Sequence, residues 1–333
     1  MKKLIENEIY KIVMKRKILF ILLLIIIFVG LFVYGESYMY EKTLERFDSI
    51  AEDEEYSWEA LASQQLANLE NRLDSPYISE EGKKSTEIQM SQLEYFIDTG
   101  INPITPSGGK FAEEFINRSM ILFMPLLIII LSADLVSSEF SQGTIRMLLT
   151  RQVPRWKVLL SKYIALLLMS TFIILMIAFL SLVISGVFFG RWGFQEPVAT
   201  GFKLIGGSLN TTAVVLISRL KSIVLSYSLA WYVALVIATI TFMISTIFRS
   251  ASTVIGILMA ALIGGQFLQF FLSEWVVIKY FFVSNLNLPN YLSGSFQPIE
   301  GMGLIFSMSV LFIWTILSLV ISFIIFIKQD VLV

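Results

Sequence analysis

The polar stretch "SADLVSSEFSQGTIRMLLTRQVPRWKVLLSK", residues 132–162, lies between two long apolar runs of this 333-residue chain. In the whole chain, 56% of the residues are hydrophobic and only 15% are charged. Soluble domains contain about 45–50% apolar and about 25% charged residues. The composition therefore predicts a membrane protein, in which this stretch is a polar segment between two spans.

Six apolar segments approach or exceed the length of about 20 residues that a helix needs to cross a bilayer. They begin at Ile18, Ser119, Tyr163, Ile223, Ser252 and Gly303. The first one resembles a signal peptide, but its apolar core is longer than is usual for such a peptide, so we expect an uncleaved helix. The predicted fold class is an all-α membrane protein with six transmembrane helices.

The distribution of Lys and Arg predicts which segments are cytoplasmic, because short cytoplasmic segments carry an excess of these residues. Residues 1–17 and 134–162 contain more cations than acids, whereas residues 36–117 are rich in Glu and Asp. We therefore expect both termini inside the cell and residues 36–117 outside. Residues 190–222 do not fit this rule, since they contain four cations but are predicted to lie outside.

The segment 204–218 leaves two alternatives open. It is apolar enough to suggest a short seventh span, but it contains Asn210 and two threonines. An amphipathic segment on the outer surface is the interpretation that keeps six spans.

Residues 1–17 show the pattern of an amphipathic helix. Ile5, Ile9 and Ile12 fall on one side, and Lys11 and Lys15 fall on another. Such a helix lies in the membrane interface with its cations near anionic lipid. We expect an elbow helix joined to the first span; a generic basic anchor is the plainer alternative.

The predicted domains follow from these patterns. They are a cytoplasmic amphipathic elbow helix (1–17), transmembrane helix 1 (18–35), an extracytoplasmic helical domain (36–117), transmembrane helix 2 (118–133), a cytoplasmic coupling region (134–162), and transmembrane helices 3–6 (163–333) with outer segments 190–222 and 273–302.

The chain lacks residues that several kinds of catalytic and ligand-binding sites usually require. The chain has no cysteine and no histidine, which removes thiolate metal sites and the commonest general base. "SGGK" at 107–110 lacks the other residues of a phosphate-binding loop, because Ile104 and Phe111 occupy their places. The cytoplasmic charge is too modest for nucleic acid. We expect neither an enzyme nor a metal site, and any ATP would be bound by another subunit.

The opening stretch predicts a short transverse helix below the membrane. Gly143 ends the preceding helix, Thr144 caps the segment "IRMLLT", and Pro154 starts the next helix. A simple basic loop that only fixes topology is the alternative, but such a loop requires cations and not this order of residues.

Residues in this stretch resemble, in order, the signature of type-2 ATP-binding-cassette (ABC) exporter permeases. They are Asp134, Glu139, Gly143, Thr144, Arg146, Leu148, Arg155 and Lys162. The segment from Leu4 to Phe20 resembles the elbow helix of that family through Asn7, Glu8, Lys11 and Lys15, and residues 286–294 resemble the outer segment before its last span.

The resemblance implies a non-catalytic permease subunit in a bacterial plasma membrane. Its partners would be an ABC nucleotide-binding subunit, which holds ATP and Mg, a second permease subunit, identical or related, and membrane lipid. This chain itself would bind no cofactor. The expected cargo is hydrophobic or amphipathic: an antimicrobial peptide, a drug or a lipid-linked molecule.

Three groups of candidate site residues result. The docking residues implied by the resemblance are Glu139, Gly143, Thr144, Ile145, Arg146, Leu149 and Arg155; the elbow residues are Glu8, Lys11 and Lys15; the candidate cargo-path residues are Gln266 and Gln269. The two glutamines have interhelical hydrogen bonding as their plainer alternative. Asp134 and Glu139 are expected to pair with Arg151, with Arg155 or with the partner subunit.

Two other functions stay open. A membrane receptor or scaffold would use the helical domain at 36–117 as a sensor and the polar stretch to recruit a partner. An ABC complex could also work mechanically on the envelope without moving cargo.

Overall fold

The computed structural model describes the backbone of residues 1–50, 57–75, 77–78, 80–141, 153–205, 208–272, 275–299 and 301–328. The protein is mostly helical, with 77% of residues in helices. Six helical segments are long and apolar enough to cross a membrane: Lys17–Phe47, Phe123–Ser141, Arg155–Phe189, Arg219–Ile247, Ala251–Phe271 and Leu304–Lys328. The prediction of six spanning helices is therefore confirmed by length and composition.

The described residues form helices in the following order. They are α1 (Lys2–Met14), α2 (Lys17–Ile50), α3 (Trp58–Leu73), α4 (Glu80–Thr99), α5 (Gly108–Ser119), α6 (Phe123–Ser132), α7 (Ser137–Ser141), α8 (Arg155–Phe189), α9 (Arg219–Ile247), α10 (Ala251–Phe271) and α11 (Leu304–Lys328). Three short 3₁₀ helices, Val276–Tyr280, Phe282–Asn285 and Leu288–Leu292, lie between α10 and α11.

Helix α9 lies at the centre of the bundle and packs against α5, α6, α8, α10 and α11. Ala230, Ala234 and Ala238 recur every four residues along it and are fully buried. Small residues at this spacing allow neighbouring helices in a membrane to approach closely. These five helices are therefore arranged around α9.

Helix α1 packs beside α8 and next to the start of α2. Its apolar side faces the bundle: Ile12 is buried, and Ile5 and Ile9 pack against the core. Arg16, between α1 and α2, has a positive φ of 56°. This left-handed residue turns the chain sharply between the two helices.

Four short strands lie between α8 and α9, which corrects the all-α prediction. They are β1 (Pro197–Thr200), β2 (Lys203–Ile205), β3 (Ser208–Asn210) and β4 (Val215–Ser218). β1 pairs with β4, and β2 pairs with β3, both antiparallel. The alternative of a seventh span at 204–218 is wrong, because the described part of this segment contains β3, β4 and most of β2. Residues such as Val198 and Ile217 favour strands through their branched side chains.

The "SGGK" motif starts a helix. The side chain of Ser107 caps α5 by accepting a hydrogen bond from the backbone N–H of Lys110. The N–H groups of Gly108 and Gly109 donate to the carbonyls of Arg191 and Trp192, at 2.8 and 2.9 Å. These bonds attach the start of α5 to the end of α8, as does the bond from Ser185 Oγ to the Gly108 carbonyl.

We expect Gly108→Ala to destabilise the protein. A Cβ atom at Gly108 would lie 2.7 Å from the Cα of Gly186, and this contact is with backbone that cannot move aside. Overpacking of this kind costs about 1–3 kcal/mol. Thermal unfolding in one detergent should show a lower Tm. Gly30→Ala is the matched control, because nothing lies within 4 Å of a Cβ there. Equal Tm values for the two variants would contradict the close packing of α5 on α8.

Candidate functional site

Four charged side chains from three helices meet at one end of the bundle. Glu8 and Lys11 come from α1, Glu139 from α7 and Lys162 from α8. Lys162 Nζ donates to Glu8 Oε2 at 2.8 Å and to Glu139 Oε1 at 2.6 Å. Lys11 Nζ donates to Glu8 Oε1 at 3.0 Å and to Glu139 Oε1 at 3.2 Å. We call these four residues the charge cluster; its two acids and two cations balance.

The charge cluster is largely removed from solvent. The side chain of Lys162 is 1% exposed, that of Glu8 6% and that of Glu139 10%. Burial of an ion costs several kcal/mol, which is compensated only when the ion is paired in good geometry. Each buried charge of the cluster therefore depends on the presence of the others.

Local structure positions each side chain of the cluster. Glu8 and Lys11 are three residues apart on α1, so they lie on the same face of that helix. Between α6 and α7, the backbone N–H groups of Val136 and Ser137 donate to Ser245 Oγ, at 3.3 and 3.1 Å. The Ser245 hydroxyl in turn donates to the carbonyl of Ala133. A side chain of α9 thus fixes the irregular turn that precedes Glu139.

A second set of ion pairs ties the α1–α2 turn to the same span. The carboxylate of Asp134 accepts from Lys15 Nζ at 2.8 Å and lies 2.9 Å from Lys17 Nζ. Lys15 also donates to Ser138 Oγ at 3.3 Å. Both acids of the opening stretch, Asp134 and Glu139, therefore hold the N-terminal segment.

Glu8 and Lys11 of α1 have shifted pKa values. Burial raises the pKa of the Glu8 carboxyl, but the ammonium groups of Lys162 and Lys11 outweigh burial and hold this pKa below its ordinary value of 4.5. Burial lowers the pKa of Lys11, but the carboxylates of Glu8 and Glu139 outweigh burial and raise this pKa above 10.5. Both residues are therefore charged across the physiological pH range.

The structure brings together part of the predicted docking and elbow residues. Glu8, Lys11 and Glu139 are in the charge cluster, and Lys15 binds Asp134. Arg155, at the start of α8, donates to the carbonyl of Ile327 at 3.2 Å. The predicted docking residues Gly143, Thr144, Ile145, Arg146 and Leu149, and the predicted partner Arg151, lie outside the described residues.

In the part of the chain that the structure describes, Asp134 pairs with lysines of the α1–α2 segment, and Glu139 pairs with Lys11 and Lys162. These lysine pairs were not predicted, because most of them join segments that are far apart in sequence. Pairing of the two acids with Arg151, with Arg155 or with a partner subunit stays a prediction. Lys162 was recognised as part of the motif but was not predicted as a site residue.

A second polar network lies at the other end of α8 and was not predicted. Glu113 of α5 accepts from Arg219 Nη1 at 2.9 Å and from the hydroxyl of Ser222. Glu196 binds Arg191 at 2.9 Å and accepts from Ser107 Oγ at 2.9 Å. Two of the cations that contradict the charge rule in 190–222, Arg191 and Arg219, are therefore neutralised by acids of the same chain.

A cavity of about 1680 Å³ lies next to this network. Its walls come from α4, α5, β1, α9, α10 and the segment between α10 and α11. Gln266 and Gln269, the candidate cargo-path residues, both line it. Neither glutamine side chain has a hydrogen-bond partner among the described residues. The alternative that these glutamines form hydrogen bonds between helices therefore has no support in this part of the chain. From Lys162 to Ser185, α8 extends about 35 Å at 1.5 Å per residue, so the cavity and the charge cluster lie at opposite ends of the bundle.

Comparison with known proteins gives one family and two bacterial relatives. Residues 84–332 match the family described as "Protein of unknown function (DUF2705)". The uncharacterized protein YhcI of Bacillus subtilis (strain 168) is 32% identical over 209 residues, which cover 62% of this chain and 64% of YhcI. The uncharacterized membrane protein YdbK of the same organism is 27% identical over 253 residues, 73% of this chain and 94% of YdbK. The chain thus spans less than two thirds of YhcI and almost all of YdbK.

The residues that match the family include two of the four residues of the charge cluster. Glu139 and Lys162 lie inside the matched residues 84–332, whereas Glu8 and Lys11 lie before them. The description of YdbK as a membrane protein agrees with the six apolar helices.

We expect Lys162→Met to destabilise the protein strongly. The substitution keeps the length of the side chain but removes the buried cation that the carboxylates of Glu8 and Glu139 share. Breaking a buried ion pair by removing one partner costs about 3–5 kcal/mol. Tm in a fixed detergent should fall far more than for Lys2→Met, since the Lys2 side chain is 91% exposed. If both variants unfold at the same temperature, the cluster does not contribute to stability.

The contribution of Glu8 should depend on pH in a defined direction. A depressed pKa gives stability that is complete above the ordinary value of 4.5 and is lost as the pH falls through the folded-state pKa. The Tm difference between the parent and Glu8→Gln should therefore be largest above pH 4.5 and shrink at lower pH. The raised pKa of Lys11 gives stability that is complete below the ordinary value of 10.5 and is lost only as the pH rises through the folded-state pKa, so Lys11 does not affect this acidic range. A Tm difference that grows on acidification would contradict the assignment.

Proposed function

We propose that this chain, which belongs to the family described as "Protein of unknown function (DUF2705)", is the permease subunit of an ATP-driven ABC exporter. The observation that carries the proposal is the charge cluster. Both acids of the opening stretch, which resembles the type-2 ABC permease signature, hold the helix that resembles the elbow of that family. Two separate resemblances thus meet at one structural site.

In this proposal α1 is the cytoplasmic elbow helix and residues 142–152 contain the coupling helix. A separate nucleotide-binding subunit, which carries ATP and Mg, docks on the coupling helix and α1. This chain is not an ATPase. Residues 36–117, which include the paired helices α3 and α4, form the extracytoplasmic domain.

The charge cluster suggests how force passes from the partner into the spans. Residues 142–152 connect α7 directly to the start of α8, so a partner that moves them displaces both ends of the connection. Glu139 is three residues before this segment, and Lys162 is ten residues after it. Their ion pairs with α1 make the elbow and the cytoplasmic ends of the second and third spans move together.

The packing of α10 supports pairing with a second permease, identical or related. The buried residues of this span, Val254, Leu258, Leu262 and Gly265, form one narrow stripe against the bundle. The rest of its apolar surface is available to lipid or to a second subunit. We propose that the pair works in a bacterial plasma membrane with both termini inside, and that it exports a hydrophobic or amphipathic cargo.

Native co-purification in mild detergent tests this proposal. An ABC ATPase should accompany the parent protein. The double variant Arg146→Glu, Leu149→Glu should lose that subunit, because it places two acids in the proposed dock. The double variant Asn68→Glu, Arg72→Glu on the exposed side of α3 makes the same change in net charge and should retain the ATPase.

Two results would contradict the proposal. If no ATPase accompanies the parent under conditions that preserve known complexes of this kind, the receptor or scaffold interpretation takes its place. If the double variant retains the ATPase and is inserted normally, the dock lies elsewhere. Transport of a compound into inverted vesicles, with ATPase stimulation, separates export from mechanical work on the envelope.

A further inference from the structure

The cavity beside the Glu113 network carries carboxamide side chains on several walls. Gln92 comes from α4, Asn117 from α5, Gln266 and Gln269 from α10, and Asn290 from the last 3₁₀ helix. A carboxamide combines N–H donors with a carbonyl acceptor, and a peptide bond likewise presents an N–H donor and a carbonyl acceptor. This lining therefore matches a ligand rich in amide groups.

One of these groups is both buried and unpaired. Asn117 Oδ1 is a buried acceptor that has no hydrogen-bond partner in the structure. An unsatisfied buried acceptor is unfavourable, and a ligand N–H that reached it would relieve that penalty. Gln92 is oriented differently, since its Nε2 donates to Ser295 Oγ at 2.9 Å and leaves its carbonyl oxygen for a ligand.

The charges of the lining disfavour a cationic ligand. Glu113 is the acid among the described lining residues, and its carboxylate is bound by Arg219 and Ser222. The other charged residues of the described lining are Lys84 and Lys279. A neutral or acidic ligand is therefore favoured over a basic one.

Strand β1 offers a backbone edge to the cavity. Val198, Ala199 and Thr200 line the cavity, and β1 has β4 as its one strand neighbour among the described residues. Just beyond β1, the N–H of Phe202 donates to the carbonyl of Ser293 in the opposite wall, at 3.1 Å. Extended peptides bind to such strand edges through main-chain hydrogen bonds.

The volume of the cavity and the aromatic residues of its lining favour a peptide over a single small molecule or a sugar. The volume of about 1680 Å³ exceeds the roughly 300–1,000 Å³ of pockets for single small molecules. The aromatic residues of the described lining are Phe270 and Phe296, without the Trp or Tyr rings that combine an apolar face with a polar edge and commonly stack on sugars.

We propose that this cavity binds an extended peptide segment of neutral or acidic character. Under the proposed function, on which this identification as cargo rests, the segment belongs to the exported molecule. Its amide groups bond to the carboxamides of α4, α5 and α10, and its backbone lies along the edge of β1.

The absence of cysteine from the chain allows a direct test. The full-length Gln269→Cys variant carries a single thiol in the cavity, and its rate of labelling by a fluorescent maleimide reports occupancy. The probes are four synthetic molecules: a Gly-Ser repeat decapeptide, a Gly-Glu decapeptide, a Gly-Lys decapeptide and maltopentaose. The first two should slow labelling at least about threefold at concentrations above Kd. Ser63→Cys on α3, outside the cavity, should be labelled at the same rate with every probe.

A second substitution tests the contacts. Asn117→Leu in the Gln269→Cys background removes the unpaired acceptor and should weaken protection by the Gly-Ser peptide about tenfold. Protection by the Gly-Lys peptide or maltopentaose alone, or by no probe, overturns the proposal. Equal protection by the Gly-Ser peptide before and after the Asn117→Leu substitution also overturns the proposal. This assay requires no ATPase. If the peptide binds but no ATPase co-purifies, the proposal of a peptide-binding cavity stands and the exporter proposal is rejected. If an ATPase co-purifies but the peptide does not bind, only the proposal for the cavity ligand is rejected.

Discussion

The ammonium group of Lys162 is the point at which three separate parts of the chain meet. It is almost completely buried, and it bonds to a carboxylate from α1 and to one from α7, at the end of the second spanning segment. A charge in this position has no access to water, so its stability depends on both acids. The placement of α1, of α7 and of the start of α8 is therefore linked. The chain between α7 and α8, which contains the proposed docking residues, is connected to this linked unit at both of its ends.

The sequence predicted the elements that depend on composition and local pattern. The six spans follow from long apolar runs, and α1 follows from isoleucines at helical spacing. The motif "SGGK" begins α5, and Ser107 caps that helix. These features are local, so a single stretch of sequence contains the information that specifies them.

The remainder of the fold and the site depends on contacts that are distant in sequence. Lys11 and Glu139 are 128 positions apart, and no local pattern identifies them as a pair. Glu113 looked like an ordinary acid of a helix, because Arg219, which neutralises it, lies 106 positions away. The strands were not predicted, because each has only three or four residues, too few to establish an alternating pattern. The cations of 190–222 contradicted the charge rule because that rule counts charges without considering their intramolecular partners.

The length of α8 has a mechanical consequence. Thirty-five residues without a break form a rod of about 50 Å, longer than the roughly 30 Å hydrocarbon core of a bilayer. Its first turns carry Lys162, and its last turns are bonded to the start of α5 beside Glu113 and the cavity. Such a rod acts as a lever: a tilt of about 5° about Lys162 displaces the far end by about 3 Å, given the rise of the helix. That displacement is comparable to the length of one hydrogen bond. A small rotation at the charged end is therefore sufficient to make or break individual polar contacts at the distant cavity.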